Sequence, residues 1–280
     1  MGNEKCCVVQ CERNLDQEYW DAQYKANVTG WDLGKIAPPI KTIIDNLKDK
    51  NCRILIPGCG NSYEAEYLIE SGFTNITVLD IAPTLVQNLT EKFAGNTNIK
   101  IILCDFFTHQ GVYDLIIEQT FFCALPPRMR QKYVWKMHQL LADSGKIAGV
   151  LFQKQFEVNP PFGGSKEEYI ALFQKAFTIV KMELCENSIP PRANSEVVIE
   201  FKKNPDVAVN LYTFEGITCS GCMENVSDKL AQINGVMNVS ISTDFSKVLI
   251  VSTEEIDLTA LQFAVSYDEK YKIKKATVTN

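Results

Sequence analysis

Nowhere in this chain do about 18 apolar residues run uninterrupted, the length a spanning helix needs. Its first residues, "MGNEKCCVVQCERN", also lack the apolar stretch of a secretory leader. Neither export nor a membrane is expected, and the cytoplasm is the expected compartment. Gly2 would invite myristoylation, but Cys6 stands where that signal needs Ser or Thr. No basic run is long enough to track phosphates, and 28 Lys and Arg against 34 Asp and Glu leave a net charge of -6, so nucleic acid is not an expected partner. Histidine is nearly missing: only His109 and His138 occur. Their scarcity leaves few candidates for acid–base chemistry; His138 reads as structural within a helix, and His109 stays open. The ten cysteines are scattered, unlike a secreted disulfide framework. Cys52, Cys104, Cys123 and Cys185 sit in or beside apolar runs and read as small buried hydrophobes.

What is present is ample core: 46% hydrophobic residues over 280 positions, enough for two domains. The runs "CRILIP", "NITVLD", "IKIILC", "YDLIIE", "KIAGVLF" and "FTIVKMEL" alternate with helical patterns that end near Gly72, Gly95 and Gly145. That alternation predicts an α/β doubly wound sheet with both faces covered. After the strand "EVVIEFKK" the composition turns polar at "FKKNPDVAVN", placing a boundary near Asn204 and dividing the chain into 1–204 and 205–280. The second part reads strand, helix, two strands split at Asp244 to Ser246, helix, strand. This βαββαβ order predicts a small α+β ferredoxin-like domain.

In "ILIPGCGNS" a buried strand runs into Gly58 and Gly60, which reads either as a tight turn or as a place where a ligand meets bare backbone. Asp80 ends the next strand about twenty residues on, where a carboxylate can accept ribose hydroxyls. Tyr63 replaces the third glycine of the dinucleotide fingerprint, so the expected ligand is a nucleoside without phosphates. Asp105 after the third strand could meet an adenine amino group, with Phe106 packing on the ring; its bland reading is a turn or helix cap. The aromatics Trp20, Tyr24 and Trp31 read on their own as core anchors of an amphipathic helix.

Glycine loop, acid after strand two and Asp after strand three together resemble the S-adenosylmethionine-dependent methyltransferases. The segments "YWDAQYKANVTGWDLGKIAPPI", "VLDIAPTLV", "YDLIIEQTFFCALPPRMRQKYVWKM" and "NPPFGGSKEEYIALF" are similar to the thiopurine S-methyltransferase family, particularly its thiol and halide branch, over roughly residues 16 to 203. The resemblance implies donor contacts from Trp20, Tyr24, Trp31, Gly58, Asp80, Asp105 and Phe106. It also implies Gln119, where the halide branch has Tyr, while Glu118 stands where Asp is usual. Arg130 corresponds to an Arg that reaches the acceptor, with Arg128 its close neighbour, and Phe162 beside Pro160 and Pro161 would line an apolar acceptor side. Methyl transfer to a thiolate or another soft anion needs alignment and desolvation but no obligatory base, and no catalytic residue is singled out.

Cys219 and Cys222 in "GITCSGC" have three readings: half a zinc site, a redox dithiol, or a two-coordinate clamp for a soft metal. Residues 205 to 280 hold no His and no further Cys, which disfavours zinc. The segment "GITCSGCMENVSDKLAQINGVMNVSIS" resembles the heavy-metal-associated domain, with Ile217 where Met is common. That resemblance implies Cu(I) or Hg(II) between the two thiolates. The leading expectation is a methyltransferase for a thiol, thiopurine-like compound, halide, thiocyanate or metalloid, joined to a soft-metal module in detoxification. Its partners would be that small molecule and another metal-binding protein. The competing expectation is a metal-binding or metal-transfer protein whose methyltransferase-like part is inactive.

Overall fold

The computed structural model describes residues 14–276; Cys6, Cys7, Cys11 and the end of the last expected strand fall outside them. Two short helices, α1 (Gln17–Lys25) and α2 (Pro38–Asp45), precede a sheet. The sheet's first strands are β1 (Ile54–Pro57), β2 (Ile76–Asp80), β3 (Ile99–Leu103) and β4 (Tyr113–Gln119), interleaved with α3 (Tyr63–Glu70) and α4 (Pro83–Lys92). Then come α5 (Arg130–Leu140), β5 (Leu141–Phe152), α6 (Lys166–Phe173), β6 (Phe177–Leu184) and β7 (Glu196–Lys203). The strand order is β3-β2-β1-β4-β5-β7-β6, with β7 antiparallel to both its neighbours. β1 and β2 are buried at every position, which is why they read as unbroken apolar runs.

Local signals fix the helix ends. Asp16 caps α1 by accepting from the amide of Tyr19, and Ser165 caps α6 by accepting from the amide of Glu168. α3 closes with Gly72 at φ +84 and paired bonds from Gly72 and Phe73 back to Ile69 and Leu68, a Schellman cap. One expected boundary is corrected: the helix expected to run to Gly145 stops at Leu140, and β5 starts immediately at Leu141. Leu141 is drawn into the sheet opposite Tyr113, and pairing resumes at Lys146 opposite Leu115 after a bulge.

The chain continues as β8 (Ala208–Glu215), α7 (Ser220–Ala231), β9 (Val236–Ile241), β10 (Lys247–Ser252), α8 (Leu258–Ala264) and β11 (Lys272–Lys275), a four-stranded antiparallel sheet ordered β11-β8-β10-β9. Alternation along its inner strands sends Tyr212, Phe214, Val248 and Ile250 under α7 and α8. Leu211, Leu249 and Val251 point the other way and join the apolar cluster of Trp135 and Phe177. α5 is therefore packed between two sheets, and Gln131 donates from Nε2 to Ser240 Oγ and to the Ile241 carbonyl, both at 3.1 Å. Among the described residues no helix is long and apolar enough to cross a membrane.

Candidate functional site

The carboxyl ends of β1 to β4 open into a cavity of about 760 Å³, within the range of small-molecule sites. At its floor β1 gives way to Gly58, held at φ +55 with the ring of Phe121 against it; a Cβ there would stand 2.2 Å from that ring. Asp80 at the end of β2 is buried and oriented by two amides, accepting from Gly60 at 3.3 Å and from Ala82 at 3.0 Å. Burial pushes its carboxyl pKa up, and those amides act against the rise. Asp105 follows β3 and accepts from the Phe107 amide at 2.9 Å, so one oxygen serves the local turn that the bland reading anticipated. Phe106 is buried edge-on to Phe121 at 5.1 Å. Gln119 ends β4 with its buried Oε1 unpartnered among the described residues.

The turn after β4 is braced from beneath. Glu118, fully buried, accepts from the amides of Phe121 and Phe122, each at 2.9 Å, and from the Tyr133 hydroxyl at 2.6 Å. Burial nevertheless pushes its carboxyl up to about 7.

Aromatic side chains of the N-terminal segment close the other side. Trp31 meets Trp20 edge-on at 5.6 Å and Tyr24 at 5.9 Å. The segment is tied down at three points: Thr84 N–H donates to Asp21 at 2.7 Å, Arg192 donates to the Trp31 carbonyl at 2.9 Å, and Asp32 accepts from Asn61 and Tyr63. Burial and then the nearby Asp80 charge raise the Tyr24 pKa, keeping a neutral phenol beside the glycine loop.

All eight residues expected to meet the donor line this one cavity: Trp20, Tyr24, Trp31, Gly58, Asp80, Asp105, Phe106 and Gln119. The two expected acceptor residues are not among its lining. Arg130 is 4% exposed and turned inward to pair with Glu168 and donate to the Gly163 carbonyl, its guanidinium 5.0 Å from the Phe122 ring. Phe162 stands outside the lining, while Arg128, Pro160 and Pro161 belong to it. Neither His109, bonded to the Tyr113 hydroxyl at 2.8 Å, nor His138, bonded to the Asn204 carbonyl at 3.0 Å, reaches the cavity. Cys123 and Cys185 are buried as expected, whereas Cys52 and Cys104 are half-buried, Cys104 in the cavity wall.

Sequence reasoning missed Lys154, Arg192 and Glu64. Lys154 lies 4.7 Å over the Phe156 ring and Arg192 5.5 Å from that of Phe152, making one rim of the cavity cationic and aromatic. "IPPRANSE" reads as a plain loop, and nothing in it signals that Arg192 folds back over the cavity. Glu64 sits in the first turn of α3, where an acid reads as an ordinary helix-dipole partner.

Away from this cavity, Cys219 is the N-cap of α7, its sulfur accepting from the Cys222 amide at 3.3 Å. The Cys219 thiol donates to the Cys222 sulfur at 2.8 Å. That bond, a second from Tyr271 and the charge of Lys270 bring the Cys222 pKa down to about 7. Among the described residues no group of three or more His, Cys, Asp or Glu side chains could hold a metal ion.

Known proteins resemble the larger part of the chain. The family model for thiopurine S-methyltransferase (TPMT) matches residues 15–208. A probable thiol methyltransferase 2 of Arabidopsis thaliana is 33% identical over 66% of this chain and 84% of its own. A thiocyanate methyltransferase 1 of Brassica oleracea is 26% identical over 68% and 86%. Among solved structures, a Burkholderia thailandensis 1,6-didemethyltoxoflavin-N1-methyltransferase, bound to its substrate and S-adenosylhomocysteine, superposes with TM-score 0.56 at 16% identity, covering 67% of this chain and 86% of its own. The sheet is that of the class I S-adenosylmethionine-dependent methyltransferases, and the chain belongs to the thiopurine S-methyltransferase family as a methyltransferase of that class.

Proposed function

We propose that the protein transfers a methyl group from S-adenosylmethionine to a soft anionic acceptor such as a thiolate or thiocyanate. The observation that carries this reading is the lining of one cavity: the carboxylates Asp80 and Asp105 at strand ends, the aromatics Trp20, Tyr24 and Trp31, and the cations Lys154 and Arg192 beside Phe156 and Phe152. Asp80 would hold the ribose hydroxyls and Asp105 the adenine edge, with Phe106 and Phe121 against the ring. S-adenosylmethionine supplies an electrophilic methyl carbon on a cationic sulfur. Trp20, Tyr24 and Trp31 roof that position, where their ring faces attract the cation and exclude water. Lys154 draws the acceptor as an anion, beside Arg192, which pairs with Glu196 at 3.5 Å; attack on the methyl carbon breaks its bond to sulfur, releases S-adenosylhomocysteine and cancels charge, so removing water supplies much of the acceleration. No histidine lines the cavity, which suits an acceptor that arrives deprotonated. The relatives named for thiol and thiocyanate substrates support this acceptor class.

Residues 1–204 form the methyltransferase domain in this reading and 205–280 a ferredoxin-like, heavy-metal-associated domain. Its fit to a soft ion rests on the donor set: an exposed thiol, Cys219, beside the half-buried Cys222, whose pKa is brought down to about 7, with too few ligands for a closed zinc site. An incoming Cu(I) or Hg(II) would replace the proton shared between the sulfurs. Unpaired cysteines throughout the described residues suit a reducing cytoplasm. A role in detoxification follows from joining soft-nucleophile methylation to soft-ion capture. The inactive-enzyme alternative is disfavoured by the eight donor residues converging on one cavity.

The test is calorimetry of the full chain with S-adenosylmethionine, then product analysis over thiols, thiocyanate, iodide, selenite and arsenite. Micromolar donor binding with methylation of at least one soft anion is expected; no donor binding would end the reading.

A further inference from the structure

The larger sheet ends on an open strand. Among the described residues β6 pairs only with β7, so the other side of its backbone has no strand beside it. Such an edge is a template for a further strand, and proteins blunt it with lysines, proline or a covering element. The other edges carry such devices. β3 bears Lys100 with no acid to answer it, β11 holds three lysines in four residues, and β9 is tied down through Ser240 and Ile241 to Gln131 and through Asn238 to the Ala171 carbonyl.

β6 differs in composition and in pattern. Its outer half reads Val180, Lys181, Met182, Glu183, Leu184. Val180 is 56% exposed and Leu184 46%, two large apolar side chains left in water, and Ile170 of α6, the helix packed on β6, is exposed as well. Lys181 and Glu183 pair with each other at 3.4 Å, an ion pair open to solvent and therefore weak. The bulge in β6 falls at Val180; from Lys181 to Leu184 the register against β7 is regular.

Read backwards, this segment is its own complement: apolar, base, methionine, acid, apolar. A two-fold axis at Met182 with the strands antiparallel sets Lys181 opposite Glu183 of the partner subunit and Val180 opposite Leu184 of the partner subunit, each pairing occurring twice. A strand of one charge sign could not do this.

We propose that β6 is a homodimer interface, at which a second copy of this chain adds its own β6 antiparallel about Met182 and joins the two seven-stranded sheets into one. Each Lys181 and Glu183 exchanges a solvated partner on its own strand for one directly across, and Val180 and Leu184 leave water. None of these five residues lines the cavity, so each subunit keeps its own site.

The experiment is sedimentation equilibrium of the full chain over a concentration series, with reductant present so that the exposed Cys219 forms no interchain disulfide. Wild type is compared with Lys181→Glu, Glu183→Lys and the variant carrying both changes. The wild-type mass should rise with concentration toward that of two chains. Either single reversal sets like charges opposite one another at two symmetric places and should weaken the dimer about tenfold or more. The double reversal restores opposite charges across the axis and should restore wild-type association. Unchanged far-ultraviolet circular dichroism of the variants reports that the fold is kept. A wild type that stays monomeric, single reversals that associate like wild type, or a double reversal no better than the singles each overturn the proposal.

Discussion

The cavity and the thiol pair set the acidity of their side chains by opposite means. The cavity takes its character from burial: Asp80, Glu118 and Glu64 are each more than nine-tenths enclosed, and burial raises all three carboxyl pKa values. The thiol pair takes its character from exposure: Cys219 is open to solvent at the head of α7, and hydrogen bonds lower the Cys222 pKa. A site built by enclosure draws on many distant residues and is sensitive to the walls behind it. A site built on a loop needs two side chains and a helix end. The two should therefore fail independently and by different mutations.

The largest effect expected falls on the exposed site. Replacing both thiols, Cys219→Ser with Cys222→Ser, removes the only soft ligands proposed for the ion, and Cu(I) affinity measured by competition with a chromophoric chelator should drop by more than about a thousandfold. Donor affinity of the same variant should match wild type. A fall in donor affinity would break the comparison, because the two sites would then share a support.

Glu118 tests the enclosed site. Its folded pKa of about 7 stands above the 4.5 of an ordinary glutamate, so its stabilising share is full below about 4.5 and is lost as pH rises through about 7. The difference amounts to about 3 kcal/mol at most. Glu118→Gln keeps an acceptor for the Phe121 and Phe122 amides but carries no charge. Denaturant unfolding at pH 5 and pH 8 should show wild type losing stability relative to the variant toward pH 8. An unchanged gap at the two pH values would mean that the three hydrogen bonds, not burial, govern this carboxyl.

The comparison also explains what was legible in the sequence. The thiol pair is contiguous, so "GITCSGC" announces itself and its helix follows at once. The inner strands of the larger sheet were legible because they are apolar runs, and the places of Asp80 and Asp105 because each follows or ends such a run. Arg130 and Arg128 were not separable in the sequence because they stand two residues apart, and only packing against Phe122 and Glu168 decides which turns inward. The premature end of α5 was hidden because "LLADSGK" continues a helical pattern while β4 recruits it as a strand. The burial of Glu64 in the cavity wall was invisible because an acid in the first turn of a helix reads as a solvated partner of the helix dipole.

The smallest effect is expected where the two regions meet. Gln131 on α5 donates to Ser240 and Ile241 of β9, while Tyr133, two residues on, braces the Glu118 turn of the cavity. Gln131→Ala removes two neutral hydrogen bonds and also a buried oxygen that has no partner among the described residues, so the terms partly cancel and the net loss should be about 1 kcal/mol. Because Leu211, Leu249 and Val251 share one apolar cluster with Trp135, that loss should lower a single cooperative transition followed by tryptophan fluorescence and by far-ultraviolet circular dichroism. Donor and soft-ion affinities should stay as in wild type, since neither site is touched. Two separated transitions in wild type would mean that the four-stranded sheet leans on α5 without stabilising it, and the cavity would then owe nothing to the sheet that carries the thiols.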